Sequence, residues 1–223
     1  MTSLTTVVVV DDHALMRGGI RSILEQEESI SVTGEASNGR EAIDIASKQA
    51  PDVMLVDIGM PDLNGMEATR KILAADPKIK IIGLSMHSDA RYVTGMLDAG
   101  ARGYLLKTCD SDELIRAIDA VCRGRLYVTS ELTHVLVDRS KKRTVGEGHG
   151  KGTPPPDSLT PREREILQLI AEGLTSKEIG VRLGVAVKTV ETHRTNVIRK
   201  LDLHSIAELT KYAVREGMTN LTG

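Results

Sequence analysis

The sequence predicts a doubly wound α/β domain with a five-stranded parallel sheet, followed by a small all-α domain of four helices. Three observations carry that prediction. Short, near-continuous runs of Val, Ile and Leu alternate five times with amphipathic stretches between Thr5 and Cys122. Strands buried on both faces, with their crossover helices, read this way. Strand–helix alternation at this spacing implies right-handed crossovers and an open parallel sheet covered on both sides. Finally, a Gly- and Pro-rich stretch at 141–156 separates this half from a run of four short helical segments.

Taken in order, strands are expected near 5–10, 30–35, 53–57, 80–85 and 102–106, and helices near 13–26, 38–49, 64–75, 89–99 and 110–122. Each helical stretch is amphipathic; Ala42, Ile45, Ala46 and Gln49 mark one stripe, and Leu114, Ala117, Ile118 and Val121 mark another. A further helix is expected from about Ser130 to Asp138. Residues 141–156 are Gly-rich, then Pro-rich, with no apolar period, and read as a flexible linker with a stiffer polyproline end. His149 within them reads as a solvated linker residue. Thr160-Pro161-Arg162-Glu163 is a capping box with Pro at the first helical position, and Gly173 ends that helix. Thr175-Ser176-Lys177-Glu178 is a second box, closed by Gly184. A third helix is expected over about 187–200 and a fourth over about 205–216, stopped by Gly217. The expected division is therefore 1–125 for the α/β domain, 126–157 for a helix and linker, and 158–223 for the helical domain.

Composition narrows the function. With four Tyr and neither Trp nor Phe, the cores must be aliphatic. The net charge of −2 hides an asymmetry: −7 over residues 1–138, +3 over 139–157 and +2 over 158–223. If either end meets a polyanion, it is the second. Cys109 and Cys122 are too few for a disulfide framework and lack metal-site spacing, so they are read as reduced structural thiols. No signal-peptide pattern opens the chain, and no apolar run reaches membrane-spanning length. A cytoplasmic protein with no membrane partner is expected.

The chemistry-bearing residues stand just past the apolar runs. Asp11 and Asp12 follow the first, Asp57 closes the third, Ser85 closes the fourth, and Lys107 follows the fifth. Ligands of open α/β sheets bind outside the carboxyl ends of the strands, where these five would gather. A lone Asp at a strand end is usually a turn residue or cap, and capping of the next helix is a second role open to Asp12. Their joint occurrence at four strand ends favours a site. Three carboxylates crowded together raise one another's proton affinity unless a cation intervenes. A hard cation such as Mg²⁺ suits two or three carboxylates with open positions and neutralises phosphoryl oxygens. Lys107 would pair with another phosphate oxygen, and the Ser85 hydroxyl could bond a third.

Segments 175–183 and 187–200, joined through Gly184-Val185-Ala186, have the lengths and turn of a helix-turn-helix. Along 187–201 a helical period places Val187, Val190, Val197 and Leu201 on one buried face with Ile198 beside it. Lys188, Thr192, Thr195 and Arg199 fall opposite, flanked by Thr189, Glu191 and Asn196. Such a short polar face suits the DNA major groove, although a small bundle with a solvated face gives the same periodicity.

These residues also carry a resemblance. Val10-Asp11-Asp12-His13, Val56-Asp57-Ile58-Gly59-Met60-Pro61-Asp62-Leu63-Asn64-Gly65, Leu84-Ser85 and Gly103-Tyr104-Leu105-Leu106-Lys107 resemble the receiver domain of two-component response regulators over residues 5–122. The resemblance implies a flavodoxin-like fold in which Asp57 accepts a phosphoryl group from a phosphohistidine on a sensor histidine kinase. It further implies Mg²⁺ held by Asp12, Asp57 and the Gly59 carbonyl, with Asp11 in support, and Ser85 and Tyr104 as residues that reorient on phosphorylation. Where the family usually has Pro after the lysine, commonly in a cis bond, this chain has Thr108, which leaves a strained loop or a trans peptide.

Residues 159–167, 172–179 and 188–194 resemble the LuxR-type DNA-binding domain, so the whole chain resembles a NarL/FixJ-type regulator. By position, Glu191, Thr192 and Thr195 would meet base edges, while Lys188, Thr189, Arg199, Lys200, Thr175 and Lys177 suit phosphates. Ala186 stands where the family often has a Ser cap. The expected protein is a transcription factor rather than an enzyme, switched by phosphorylation and dimeric when phosphorylated, on double-stranded DNA. A phosphatase reading is weakened by Gly59, which stands where such hydrolases often place a second Asp. A dinucleotide enzyme is opposed by the lack of a Gly-x-Gly-x-x-Gly after the first strand.

Overall fold

A computed structural model describes residues 4–136 and 159–219. The chain forms two compact units, residues 1–141 and 142–223. The linker expected at 141–156, His149 within it, and the end of the helix expected up to Asp138 lie outside the described residues.

The first unit runs β1 (Thr5–Val10), α1 (Ala14–Leu24), β2 (Ile30–Ala36), α2 (Gly39–Gln49), β3 (Val53–Asp57), α3 (Gly65–Ala75), β4 (Lys80–Ser85), α4 (Ala90–Asp98), β5 (Gly103–Leu106) and α5 (Ser111–Cys122). A sixth strand, β6 (Tyr127–Val128), and a 3₁₀ turn (Ser130–Leu132) lead into helical residues 133–136. Every strand pair is parallel, in the order β2-β1-β3-β4-β5-β6. Five strands were expected; the sixth was missed because two residues cannot show a period. Its pairing of Tyr127 with Gly103 and Val128 with Tyr104 gives the edge of β5 a partner.

The alternation of side chains along each strand divides two cores. Val7, Val9, Leu55, Leu84 and Leu105 pack with Ile20 and Leu24 of α1 and the Leu114, Ala117, Ile118, Val121 stripe of α5. Val8, Val10, Met54, Val56 and Tyr104 face the other way, onto Ala42, Ala46, Met66, Ile72, Val93 and Met96 of α2, α3 and α4. Strands covered on both faces explain why their sequence runs are almost wholly apolar. Asn38, Asn64, Asp89 and Asp110 accept first-turn amides and start α2, α3, α4 and α5. Asp12 does not cap α1, whose N-cap is His13 with no side-chain bond; Asp12 is left for the pocket. At Gly65 an added Cβ would lie 2.1 Å from the Asp57 carbonyl oxygen, so only glycine lets α3 start against the end of β3.

The second unit holds α6 (Pro161–Ala171), α7 (Ser176–Leu183), α8 (Val187–Leu201) and α9 (Ile206–Arg215). Both expected capping boxes form, on Thr160 with Glu163 and on Thr175 with Glu178, and a third, unforeseen one joins Ser205 to Glu208. Gly184 at φ 63° turns the chain from α7 to α8 in the left-handed region. Ala186 gives α8 no side-chain cap. Leu167, Leu169, Ile179, Val190, Val197, Leu201, Leu209 and Tyr212 form the core. Val187, expected on the buried face, is 45% exposed because it opens the helix.

Candidate functional site

The order β2-β1-β3 marks where the sheet reverses its direction of build, and Asp57 ends β3 beside that point. The strand ends bring Asp11, Asp57, Ser85 and Lys107 inward together. Asp11 is fully buried, and Asp57 and Ser85 are nearly so. The Lys107 ammonium sits 2.7 Å from Asp11 Oδ2 and 2.9 Å from Asp57 Oδ2, bridging the ends of β1 and β3. Its amide donates to the Ser85 carbonyl at 2.8 Å, fixing the start of the β5–α5 loop. No cis peptide occurs among the described residues, so Thr108 follows Lys107 through a trans bond.

Burial pushes the Asp57 carboxyl up, and the hydrogen bond and charge of Lys107 oppose this without cancelling it. Burial also works against the charged form of Lys107, but its bonds to Asp11 and Asp57 prevail and hold its pKa above the usual lysine value. The pocket therefore keeps a charged ammonium beside an Asp57 carboxylate whose ionisation is costly. The other Asp57 oxygen, Oδ1, accepts the Gly59 amide at 3.2 Å, placing that peptide at the pocket.

Oxygens of Asp11, Asp12 and Asp57, with a nitrogen of His13, lie within 4.8 Å of one another. Three carboxylates at this spacing can hold a divalent cation, and an all-oxygen set selects a hard one. His13 was not singled out from sequence. Its Nδ1 lies 2.9 Å from Asp12 Oδ1 and 3.3 Å from Asp11 Oδ1 while the ring stays exposed. A protonated His13 would compete with a cation there.

Ser85 Oγ accepts the His87 amide at 3.0 Å, and the Tyr104 hydroxyl donates to the His87 carbonyl at 2.7 Å. Tyr104 is completely buried, and burial pushes its phenol up. One peptide segment is thus gripped by both hydroxyl residues named from the sequence. The His87 ring stacks on Tyr92 of α4 with centroids 4.6 Å apart. Sequence periodicity carries no signal for His87, because its backbone makes these contacts.

Beside the pocket lies a groove of about 560 Å³ lined by Leu15, Met16, Ile20, Met86, Cys109 and Leu114, with Lys107 and His13 at its margin. Leu15 is 91% and Met86 66% exposed. Cys109 and Cys122 are free, and burial pushes both thiols up, away from reactive thiolate. Among the described residues no helix is long and apolar enough to cross a membrane.

In the second unit, Lys188, Thr189, Glu191, Thr192, Thr195 and Arg199 are exposed along α8, and Thr175 and Lys177 are exposed at the start of α7. The Thr175 hydroxyl is already engaged with Glu178 at 2.7 Å. Lys200 departs from its expected place. Its ammonium lies 2.6 Å from Glu163 Oε2, turned onto α6 instead of outward. Burial works against the charged Glu163 carboxylate, but Lys200 and the Thr160 bonds hold it below the usual range. Nothing in the period of α8 reveals a partner 37 residues away.

Residues 7–119 match the family described as the response regulator receiver domain, and residues 157–213 match bacterial regulatory proteins of the luxR family. The chain is 36% identical over 220 residues to the transcriptional regulatory protein DegU of Brevibacillus brevis, covering 95% of this chain and 93% of that one. It is 39% identical to the oxygen regulatory protein NreC of Staphylococcus epidermidis, over 94% of this chain and 97% of that protein. The RcsB response regulator of Salmonella typhimurium has a solved structure that aligns with a TM-score of 0.64 and 26% identity, over 96% of this chain and 98% of that one. With an acidic strand-end pocket in one unit and a helix-turn-helix in the other, the chain belongs to the response regulators of two-component systems, as a DNA-binding transcriptional regulator of the NarL/FixJ type.

Proposed function

We propose that Asp57 is the phosphoacceptor and that its phosphorylation by a sensor histidine kinase controls how the helix-turn-helix domain engages DNA. A carboxylate oxygen of Asp57 attacks the phosphorus of a phosphohistidine. The P–N bond breaks, and its electron pair returns to the donor imidazole. The observation that carries this reading is the Lys107 ammonium, held within 2.9 Å of Asp57 and poised to pair with a phosphoryl oxygen. Asp11, Asp12, Asp57 and the Gly59 carbonyl would hold Mg²⁺, which supplies charge neutralisation for phosphoryl oxygens. The donor set fits, because the carboxylate oxygens already converge. The groove beside the pocket, with exposed Leu15 and Met86, offers an apolar surface to the kinase.

The Ser85 hydroxyl proton would bond a phosphoryl oxygen and draw on the His87 segment it shares with Tyr104. That segment leads into α4, so the switch has a mechanical route out of the pocket. In the second domain, α8 enters the major groove. Glu191, Thr192 and Thr195 meet bases, and Lys188, Thr189, Arg199, Lys177 and the N-terminus of α7 at Thr175 meet phosphates. Lys200, held by Glu163, serves the domain's stability. A phosphorylated homodimer would place two α8 helices on half-sites about one DNA turn apart. Intact-protein mass spectrometry after treatment with acetyl phosphate and Mg²⁺ tests the acceptor. The expected result is one added phosphoryl group, absent in Asp57→Asn. Addition at another residue in the wild type would overturn the assignment.

A further inference from the structure

We infer that the base-reading surface of α8 recognises a pyrimidine-bearing strand, Thr192 and Thr195 through thymine 5-methyl groups and Glu191 through the cytosine amino group. The inference rests on the proposed placement of α8 in the major groove. Its basis is where the threonine protons go. Thr192 Oγ1 donates to the Lys188 carbonyl at 2.9 Å, and Thr195 Oγ1 donates to the Glu191 carbonyl at 2.9 Å. Both are one helical turn back along the same face, and both side chains are exposed. A hydroxyl has a single proton. Once that proton is on the helix's own backbone, the side chain offers the groove a methyl group and a shared oxygen, but no donor. Glu191, exposed beside them, is an acceptor when ionised.

None of the three then offers a hydrogen-bond donor. Guanine shows the major groove only its O6 and N7 acceptors, so it finds no bonding partner at these positions. Thymine presents a methyl, which packs against a threonine methyl, and cytosine presents its N4 donor, which a carboxylate accepts. Guanine is thus sensed through the cytosine it pairs with. The nearby cations leave this pattern intact. Lys200 is held by Glu163, while Lys188 and Arg199 stand at the two ends of this face, where the proposed placement puts them on phosphates, Arg199 also donating to Asn196 Oδ1 at 3.2 Å.

The test begins with the full chain, treated with acetyl phosphate and Mg²⁺, selecting duplexes from a randomised pool. Each thymine of a recovered duplex is then replaced by deoxyuridine, which removes only the methyl. Binding should weaken about fourfold at each contacted thymine, the worth of about one buried methyl group. Thr192→Ser and Thr195→Ser, which keep the hydroxyl and lose the methyl, should weaken binding to thymine duplexes equally. Each should be indifferent to deoxyuridine at its own position. Thr192→Val and Thr195→Val should retain the thymine preference. Uracil duplexes that bind like the thymine ones, or a loss confined to the valine variants, would overturn the inference and assign the reading to the hydroxyls. A pool that yields no preferred sequence would instead overturn the placement of α8 on bases.

Discussion

Removing the Lys107 ammonium tests the pocket as a physical object. Lys107→Met keeps most of the side-chain stem and deletes the charge. In the wild type the side chains of Lys107, Asp11 and Asp57 are 6%, 0% and 6% exposed. Breaking a buried pair by removing one partner costs about 3–5 kcal/mol, because the remaining charge is uncompensated. Asp12 at 28% exposure opens one side of the pocket to water, so the lower end of that range applies. At about 3 °C per kcal/mol for a unit of this size, the receiver transition should fall by about 10 °C. The pH dependence has a definite sign. Asp57 is raised above its unfolded value in the wild type, and more so without its cation. The stability contribution of such a group is full below the unfolded pKa and is lost as pH rises through the folded one. The deficit of Lys107→Met should therefore be largest near neutrality and shrink as pH falls toward about 4. Scanning calorimetry of the full chain in chelator, with and without millimolar magnesium chloride, is the assay. The cation should raise the variant's transition more than the wild type's, because it then stands in for the missing ammonium. A wild-type transition temperature, or a deficit unchanged at acid pH, would refute the account of the pocket as a charge-balanced cluster.

Four further variants carry expected outcomes. Gly65→Ala sets a Cβ against the Asp57 carbonyl oxygen and should cost the first unit at least about 1–3 kcal/mol, with slower labelling by acetyl phosphate; wild-type melting and labelling would show that α3 can shift. Tyr104→Phe leaves the His87 carbonyl without its 2.7 Å partner and should lower stability by about 1 kcal/mol. Phosphorylation of that variant should proceed normally while its effect on DNA binding weakens; if that response is intact, the His87 segment is not the route out of the pocket. Lys200→Met should lower the second unit's transition by about 1–2 kcal/mol, the pair being 31% exposed on the lysine side, and leave the salt dependence of DNA binding unchanged. Arg199→Ala should instead reduce the salt slope by about 1. A slope change in the lysine variant would put Lys200 on a phosphate after all.

Much of the receiver was legible because two-sided burial writes itself into a strand as an unbroken apolar run. Val7 through Val10 feed both cores, and the polar residue that ends each run stands at the sheet's binding edge. The capping boxes at Thr160 and Thr175 were equally plain, since they need only residues three apart. What escaped has a common physical character. β6 is two residues long and exists through its pairing with β5. His87 acts through its backbone N–H and C=O, which every residue type shares. The bond from Lys200 to Glu163 joins helices distant in sequence, and a phosphate role carried over by position alone gives no sign of it. Capping of α1 was a second role open to Asp12 beside the pocket, and only the backbone at His13 excludes it.

Under the proposed function, the charges of the pocket give a divalent cation and the lysine separate parts to play. When ionised, Asp11, Asp12 and Asp57 bring three negative charges against the single positive charge of Lys107, an excess of two that a divalent cation would cancel. Phosphorylation of Asp57 replaces one carboxylate charge with the roughly double charge of a phosphoryl group. The balanced pocket would then become anionic again by about one unit, and the Arg17 guanidinium, which donates to the Asp11 carbonyl at 2.7 Å, is itself paired with Glu35. Hydrogen-bond donors would have to meet that remainder, and the Ser85 hydroxyl, which accepts the His87 amide and bonds the Tyr104 side chain, is a donor at hand. Turning it toward the phosphoryl group strains the contact that Ser85 Oγ shares with the His87 amide. In the proposed switch, the charge left over by the chemistry would be the force that reaches Tyr104, and a neutral phosphoryl mimic at Asp57 should fill the pocket without moving it.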